Sequence, residues 1–204
     1  MLLNIQITMK KLFILALTLI GVISAQAKDP MTLDSGSLSM LSDASKTVFF
    51  KIDYSKATVH NDGNNYTLDG YLQHRGADFV ADWNKDSEKA YSYLPMRFNQ
   101  KNKKGAKALM EEGNYDILGT VYLTDIDFGN GAGTFNPFGG VKAGGCIISG
   151  KLVFTDTNKT ELAVLNFVEV KGMGHMSETI RLGMSYFELM NKLGDVLKKE
   201  SKKK

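Results

Sequence analysis

The sequence predicts an α+β fold: a two-layer structure whose mixed sheet has about four to five strands in the order β-α-β-β-β-α, with two main helices mostly on one face. Three observations lead there. Val48, Phe50, Ile52 and Tyr54 alternate with Phe49, Lys51 and Asp53, the period of a strand. Phe79, Val80, Trp83, Tyr91, Leu94 and Phe98 fall on a helical period, as do Leu182, Tyr186, Leu189, Leu193 and Val196. Between the two helical stretches lie further runs rich in β-branched and aromatic residues. Strands bracketed by helices read as one sheet with a helical layer.

Taken in order, residues 28–46 are rich in Ser, Asp and Met and hold no sustained period. They are expected to be a loosely ordered opening segment with a short helix near Leu38 to Leu41. The domain proper spans 47–197. After the first strand, Asn61-Asp62-Gly63-Asn64-Asn65 is a turn cluster, with Thr58-Val59 and Tyr66-Thr67-Leu68 as a small flanking hairpin. Asp78 to Leu109 reads as helical, kinked or restarted at Pro95, which cannot donate to the preceding turn, and closed by Gly105 and Glu111-Glu112-Gly113. Tyr115 to Phe128 is apolar on both faces, which predicts a central strand covered on both sides. Cys146 to Thr155 and Glu161 to Val170 form a hairpin around Asp156-Thr157-Asn158-Lys159. Ser177 is a good N-cap for the last helix, with Glu178 in its first turn.

The start of the chain carries the clearest targeting signal. Met9-Lys10-Lys11 is a basic flank, Leu12 to Ile23 is apolar or small apart from Thr18, and Ser24-Ala25-Gln26-Ala27 offers a cleavage site. Residues 1–27 are therefore expected to be a signal peptide, with translation starting at Met1 or Met9. The apolar run falls short of the about 20 residues that span a bilayer, so stable insertion after cleavage is not expected. The only cysteine is Cys146, which leaves no lipobox for acyl anchoring and no internal disulfide. An exported chain without cystines points to a bacterial periplasmic or secreted protein. Asn65-Tyr66-Thr67 and Asn158-Lys159-Thr160, though they match the glycosylation pattern, are then inert.

The net charge of +3 dissolves on inspection. Two lysines lie in the leader and five in the lysine-rich tail, 198–204, leaving 18 basic against 21 acidic residues in between. Such a body has no broad basic face for nucleic acid.

Candidate chemistry is sparse. Gly129 to Gly145 holds seven glycines after a strand, yet no helix and no Gly-Lys-Ser/Thr follows, so it does not read as a phosphate-binding loop. Phe135, Asn136 and Phe138 make it a candidate contact loop for a partner. Cys146 opens an apolar strand with no cationic neighbour, and His175 precedes the last helix; a thiolate–imidazole pair would need tertiary contact. Asp78, Asp82 and Asp86 recur at the four-residue spacing that can line a cation, and more often forms a solvated face. Nothing calls for a cofactor.

Phe49-Phe50-Lys51-Ile52-Asp53-Tyr54, Asp78-Phe79-Val80-Ala81-Asp82-Trp83, Phe98-Asn99 and the strand from Gly144 to Asp156 resemble small exported proteins of unknown function from Gram-negative gut and oral bacteria. The order of elements is also similar to the small α/β domains of the curli-secretion lipoprotein and of the amino-terminal domain of the Tol system's propeller protein. Those envelope proteins often carry a lipid anchor, for which this chain has no cysteine. With no motif that assembles a nucleophile, a base and oxyanion donors, the chain reads as a non-enzymatic periplasmic or cell-envelope interaction or accessory protein, with an envelope protein as partner. Two alternatives stand beside it: a small hydrolase using Cys146, His175 and a carboxylate, and a small-ligand binder with a pocket between the sheet and the first helix.

Overall fold

The structure is a computed structural model that describes residues 29–129, 134–136, 140–142 and 144–203; the segments 134–136 and 140–142 are described by their backbone. The expected signal peptide lies outside these residues. Among the described residues, three helices and a mixed, open sheet of eight strands form an α+β fold.

The sheet runs β1 (Met31–Gly36), β10 (Glu161–Gly174), β9 (Gly145–Asp156), β6 (Ile117–Asp127), β2 (Thr47–Asp53) and β5 (Lys107–Ala108). A hairpin of β3 (Thr58–Asn61) and β4 (Asn64–Thr67) joins the same edge of β6 beyond β2. The pairs β2–β5, β2–β6 and β3–β6 are parallel, and the other pairs are antiparallel. A separate two-stranded hairpin pairs β7 (Thr134–Asn136) with β8 (Gly140–Lys142). The helices are α1 (Leu68–Arg75), α2 (Ala77–Lys101) and α3 (Glu178–Ser201).

The expectation of four to five strands is too low because the β3–β4 hairpin joins the main sheet and two further strands, β1 and β5, take their identity from partners. The opening segment is not loose. Met31 to Gly36 pairs along β10 as an edge strand, and Ser39–Ser42 forms a single 3-10 turn with Leu41 buried. β5 lies where the helical reading ran on to Leu109. The Asn99 amide donates to Ala108 O at 2.9 Å and accepts from Ala108 N at 2.8 Å, so a helix side chain stands in for a strand neighbour. Pro95 neither breaks nor restarts α2, which continues through it as one helix with Pro95 buried. At the other end α3 carries through Lys198 and Lys199 into the expected tail, and Lys199 Nζ reaches Asp29 at 2.6 Å.

The core lies between the sheet and the helices. Phe50, Val121, Ile126, Leu152, Phe154, Leu165 and Phe167 are almost fully buried. Phe50 packs edge-on to Phe98 of α2 and to Phe154, over the bare backbone of Gly119. No described element covers the opposite face of the sheet. β6 is central but covered on one side; Tyr122, on the open side, is 42 % exposed.

The two long helices touch where Gly183 meets Ala90. A methyl group on Gly183 would lie 2.7 Å from Tyr93 Cδ2 and 2.8 Å from Ala90 Cα, which is backbone and cannot swing away. Gly183→Ala is therefore expected to destabilise the protein by about 1–3 kcal/mol despite the better helix propensity of alanine. Denaturant titration checks this; an unchanged or raised midpoint would refute the close crossing.

Candidate functional site

The end of the sheet where β6 stops and β9 starts gathers most of the polar chemistry, and its centre is a residue that the hydrophobic pattern passes over. Arg181, in the first turn of α3, is fully buried. Nε donates to Phe128 O at 2.8 Å and Nη2 to Gly129 O at 3.2 Å, at the stem of the glycine-rich connection. Nη1 donates to His175 O at 2.8 Å and Met176 O at 3.3 Å, just before α3. The guanidinium thus fixes two connections against each other, with Glu178 Oε1 at 3.6 Å balancing its charge. A cation opposes the dipole at a helix N-terminus, so an arginine at this position was the available sequence signal of a tertiary role.

Glu178 serves a second arginine. Arg75 Nη1 donates to Glu178 Oε1 at 2.6 Å and also to the Tyr71 hydroxyl, which in turn donates to Glu178 Oε2 at 2.7 Å. Burial, and then the neighbouring carboxylate, raise the Tyr71 phenol well above its ordinary range. The Arg75 guanidinium stacks 4.3 Å from the Phe79 ring. Tyr71 and Arg75 belong to α1, which the sequence hides: it is one short helix holding Gly70, capped by Thr67 Oγ1 accepting from Gly70 N. A cleft of about 300 Å³ opens beside this network, lined by Arg75, Phe79, Asp82, Lys85 and Met176 among others.

Cys146 and His175 do not form a pair. Cys146 is fully buried, and burial pushes its thiol up to about 12. Its Sγ contacts Ile147 O at 3.9 Å, while Ser185 Oγ donates to Cys146 O at 2.7 Å. His175 is exposed, and its Nδ1 accepts from Ser177 N at 3.1 Å. A thiol with so high a pKa supplies almost no thiolate near neutrality.

Asp78 and Asp82 are exposed on α2, whereas Asp86 is half-buried and accepts from Ser177 Oγ at 2.9 Å, tying α2 to the N-cap of α3. Among the described residues no group of three or more His, Cys, Asp or Glu gathers for a metal. Of the contact-loop residues, Phe135 and Asn136 lie in β7, known by its backbone, and Phe138 lies outside the described residues. The space between the sheet and α2 is filled by Trp83, Leu94 and Phe98, with Phe79 and Tyr91 at its margin. No described helix is long and apolar enough to cross a membrane.

No protein-family model matches the chain, and no curated protein matches it. Among solved structures it is similar to the PelC dodecamer from Paraburkholderia phytofirmans in two crystal forms. One is 7 % identical at TM-score 0.36, covering 79 % of this chain and 95 % of that one. The other is 8 % identical at 0.38, covering 78 % and 96 %. An uncharacterised protein is 9 % identical at 0.35, covering 78 % and 95 %.

A second polar cluster joins the β3–β4 hairpin to β6. His60 Nδ1 lies 2.7 Å from Asn65 Oδ1, and Nε2 lies 3.0 Å from Asp125 Oδ1, whose other oxygen accepts from Thr124. With Asn65 presenting its oxygen, both ring nitrogens face acceptors, and the ring donates at both only as imidazolium. The hydrogen bond to Asp125 raises the His60 pKa above 6.5, and the same bond lowers that of Asp125.

Two outcomes follow from these geometries. Arg181→Met leaves four carbonyls without their donor and Glu178 with one cation in place of two; breaking such a buried pair costs about 3–5 kcal/mol. Thermal unfolding should fall by roughly 10 °C, with Arg181→Lys in between; an unchanged transition would refute the clamp. For His60, the folded pKa exceeds the unfolded one, so its contribution is full below the unfolded pKa and is lost as pH rises through the folded one. The Asp125 contribution has the opposite sign and is lost toward acid. An NMR titration should place His60 above 6.5, and Asp125→Asn should lower it; no change in Asp125→Asn would refute the latch.

Proposed function

We propose that this chain is an exported, non-enzymatic protein of the bacterial cell envelope, an accessory module that binds another envelope protein with one end of its sheet. The single observation that carries this reading is the clamp at that end. A fully buried Arg181 is spent on holding the carbonyls of Phe128 and Gly129, from which the seven-glycine connection departs, against those of His175 and Met176. Loops on a rigid frame are where binding residues concentrate.

Further support lies in what surrounds the clamp. Met173 and Met176, 67 % and 75 % exposed, are at this same end, and unbranched methionines suit adaptable contacts. The candidate nucleophile is sealed in the core. The run from Met9 to Ala27 has the three parts of an export signal.

The test has two arms. Expressed in a Gram-negative host, the chain should be recovered by osmotic shock with Lys28 as its first residue; an intact leader in the cytoplasm would overturn export. A photo-crosslinking residue at Met176 should capture an envelope protein, whereas one at Lys104, at the opposite end, should not. Absence of an adduct at Met176, or equal capture from both positions, would overturn the contact surface.

A further inference from the structure

We infer that the end of the molecule opposite the clamp docks on an anionic lipid surface, through two lysine runs that the fold brings together. The inference is independent of export and of the protein contact proposed above. It concerns other residues and is read on the purified chain.

The runs are far apart in sequence, one in residues 101–107 and one in residues 198–203. The Ser39–Ser42 turn joins them. On one side Leu41 O accepts from Ala106 N at 3.0 Å and from Asn102 Nδ2 at 2.7 Å. On the other, a hollow of about 320 Å³ between the turn and α3 is lined by Ser39, Ser42, Leu197, Glu200 and Lys203 among others. Behind the turn the helices touch: a methyl group on Gly194 would lie 3.0 Å from Lys101 Cβ. Lys103, Lys104 and Lys107 thus flank the turn on one side, and Lys198, Lys202 and Lys203 on the other.

Part of this charge is already neutralised. Lys46 pairs with Asp116, Lys199 with Asp29 and Lys203 with Glu200. Lys103, Lys104, Lys107, Lys198 and Lys202 are exposed and form no ion pair among the described residues. Against them stand the exposed Asp43, held by Ser45, and Asp195. Counting the β9–β10 turn as well, this end carries ten lysines against seven carboxylates. The rest of residues 29–203 carries 11 basic against 15 acidic side chains. A cation in the last turn of a helix suits its dipole, which accounts for Lys101, Lys198 and Lys199. It does not account for Lys103, Lys104 and Lys107, which lie outside any helix.

The side chains of the patch choose its partner. Nucleic-acid surfaces add aromatic rings for stacking and arginines for bidentate contacts. Tyr122, the aromatic residue most open to solvent among the described residues, lies on the sheet face instead. Arg97 is spent on Asn191, Gln100 and the ring of Phe187. What remains is a set of ammonium groups on flexible stems. Such point charges suit phosphate headgroups, which move and offer no fixed geometry. The uneven charge also orients the approach. An anionic plane attracts the lysine end and repels the other, so the clamped end, with Asp69, Asp78, Asp82 and Asp127, faces away from the lipid.

Cosedimentation of the purified chain with vesicles reads this docking. The vesicles are phosphatidylcholine alone, or phosphatidylcholine with about one-third phosphatidylglycerol. The chain should bind the anionic vesicles and not the neutral ones, and should bind about tenfold more weakly at about 150 mM salt than at about 20 mM. A lysine near such a surface is worth about fivefold in affinity. The pair Lys103→Glu and Lys104→Glu, and the pair Lys198→Glu and Lys202→Glu, should therefore each weaken binding by about 25-fold or more. The pair Lys51→Glu and Lys151→Glu makes the same change of charge on the open sheet face, and should cost less than about threefold, being more than a screening length away. Thermal unfolding checks that each variant folds, and the milder pair Lys103→Gln and Lys104→Gln should fall in between. No binding to anionic vesicles at low salt, equal binding to both kinds, or an equal loss in the sheet-face pair would overturn the inference. Tighter binding to a DNA duplex of about 20 base pairs than to the anionic vesicles would overturn it too.

Discussion

A charge held wholly out of water is the constraint around which the rest of the molecule is arranged. An isolated buried guanidinium is too costly to persist, so everything that touches Arg181 must supply acceptors in the right places. Phe128 and Gly129 do so from the end of β6, and His175 and Met176 from the turn into α3. Glu178 supplies the counter-charge and passes the constraint on to Arg75 and Tyr71 of α1. Ser177, capping α3 through Ile180 N, also donates to Asp86 and so draws in α2. One residue thereby sets the relative positions of three helices and two strand ends.

The two ends of the sheet are built on different physics. At the clamped end, placement depends on directional donors with few alternatives. At the other end the ionised pair Lys46–Asp116 is open to water, Asn102 Nδ2 donates to Leu41 O at 2.7 Å and to Ala106 O at 3.2 Å, Asn99 bonds Ala108, and these contacts frame apolar packing. Apolar packing tolerates substitution more readily than a hydrogen-bonded charge does. Variation should therefore be absorbed more easily around Leu41 and Ala106 than around Arg181.

How much of this the sequence discloses depends on whether an element carries its own periodicity. β2, β6, β9, β10, α2 and α3 do, and their existence and type can be read from alternation or helical spacing. β1, β5 and α1 do not. β1 is a strand because β10 offers it an edge, β5 because Asn99 imitates a neighbour, and α1 because Thr67 caps it and Tyr71 is buried. Both apolar faces of β6 were visible, but which one the helices cover was not, since that depends on the handedness of chain connections rather than on composition. The chemistry was less legible still. Cys146 and His175 stand out as residue types and contribute no joint site. Arg181, Glu178 and Arg75 look like ordinary surface charges until the fold brings them together.

Burial of the lone thiol has a consequence of its own. A cysteine at 0 % exposure, with its pKa raised to about 12 by desolvation, reacts with a thiol reagent only when the core opens. Its labelling rate thus follows the free energy of that opening, giving each molecule one internal probe of its breathing motions. The same sealing keeps oxidants away from the thiol. With its sulfur hidden between β9 and α3, the folded form offers no partner for a stray mixed disulfide, and only a molecule that has failed to fold would be caught by one.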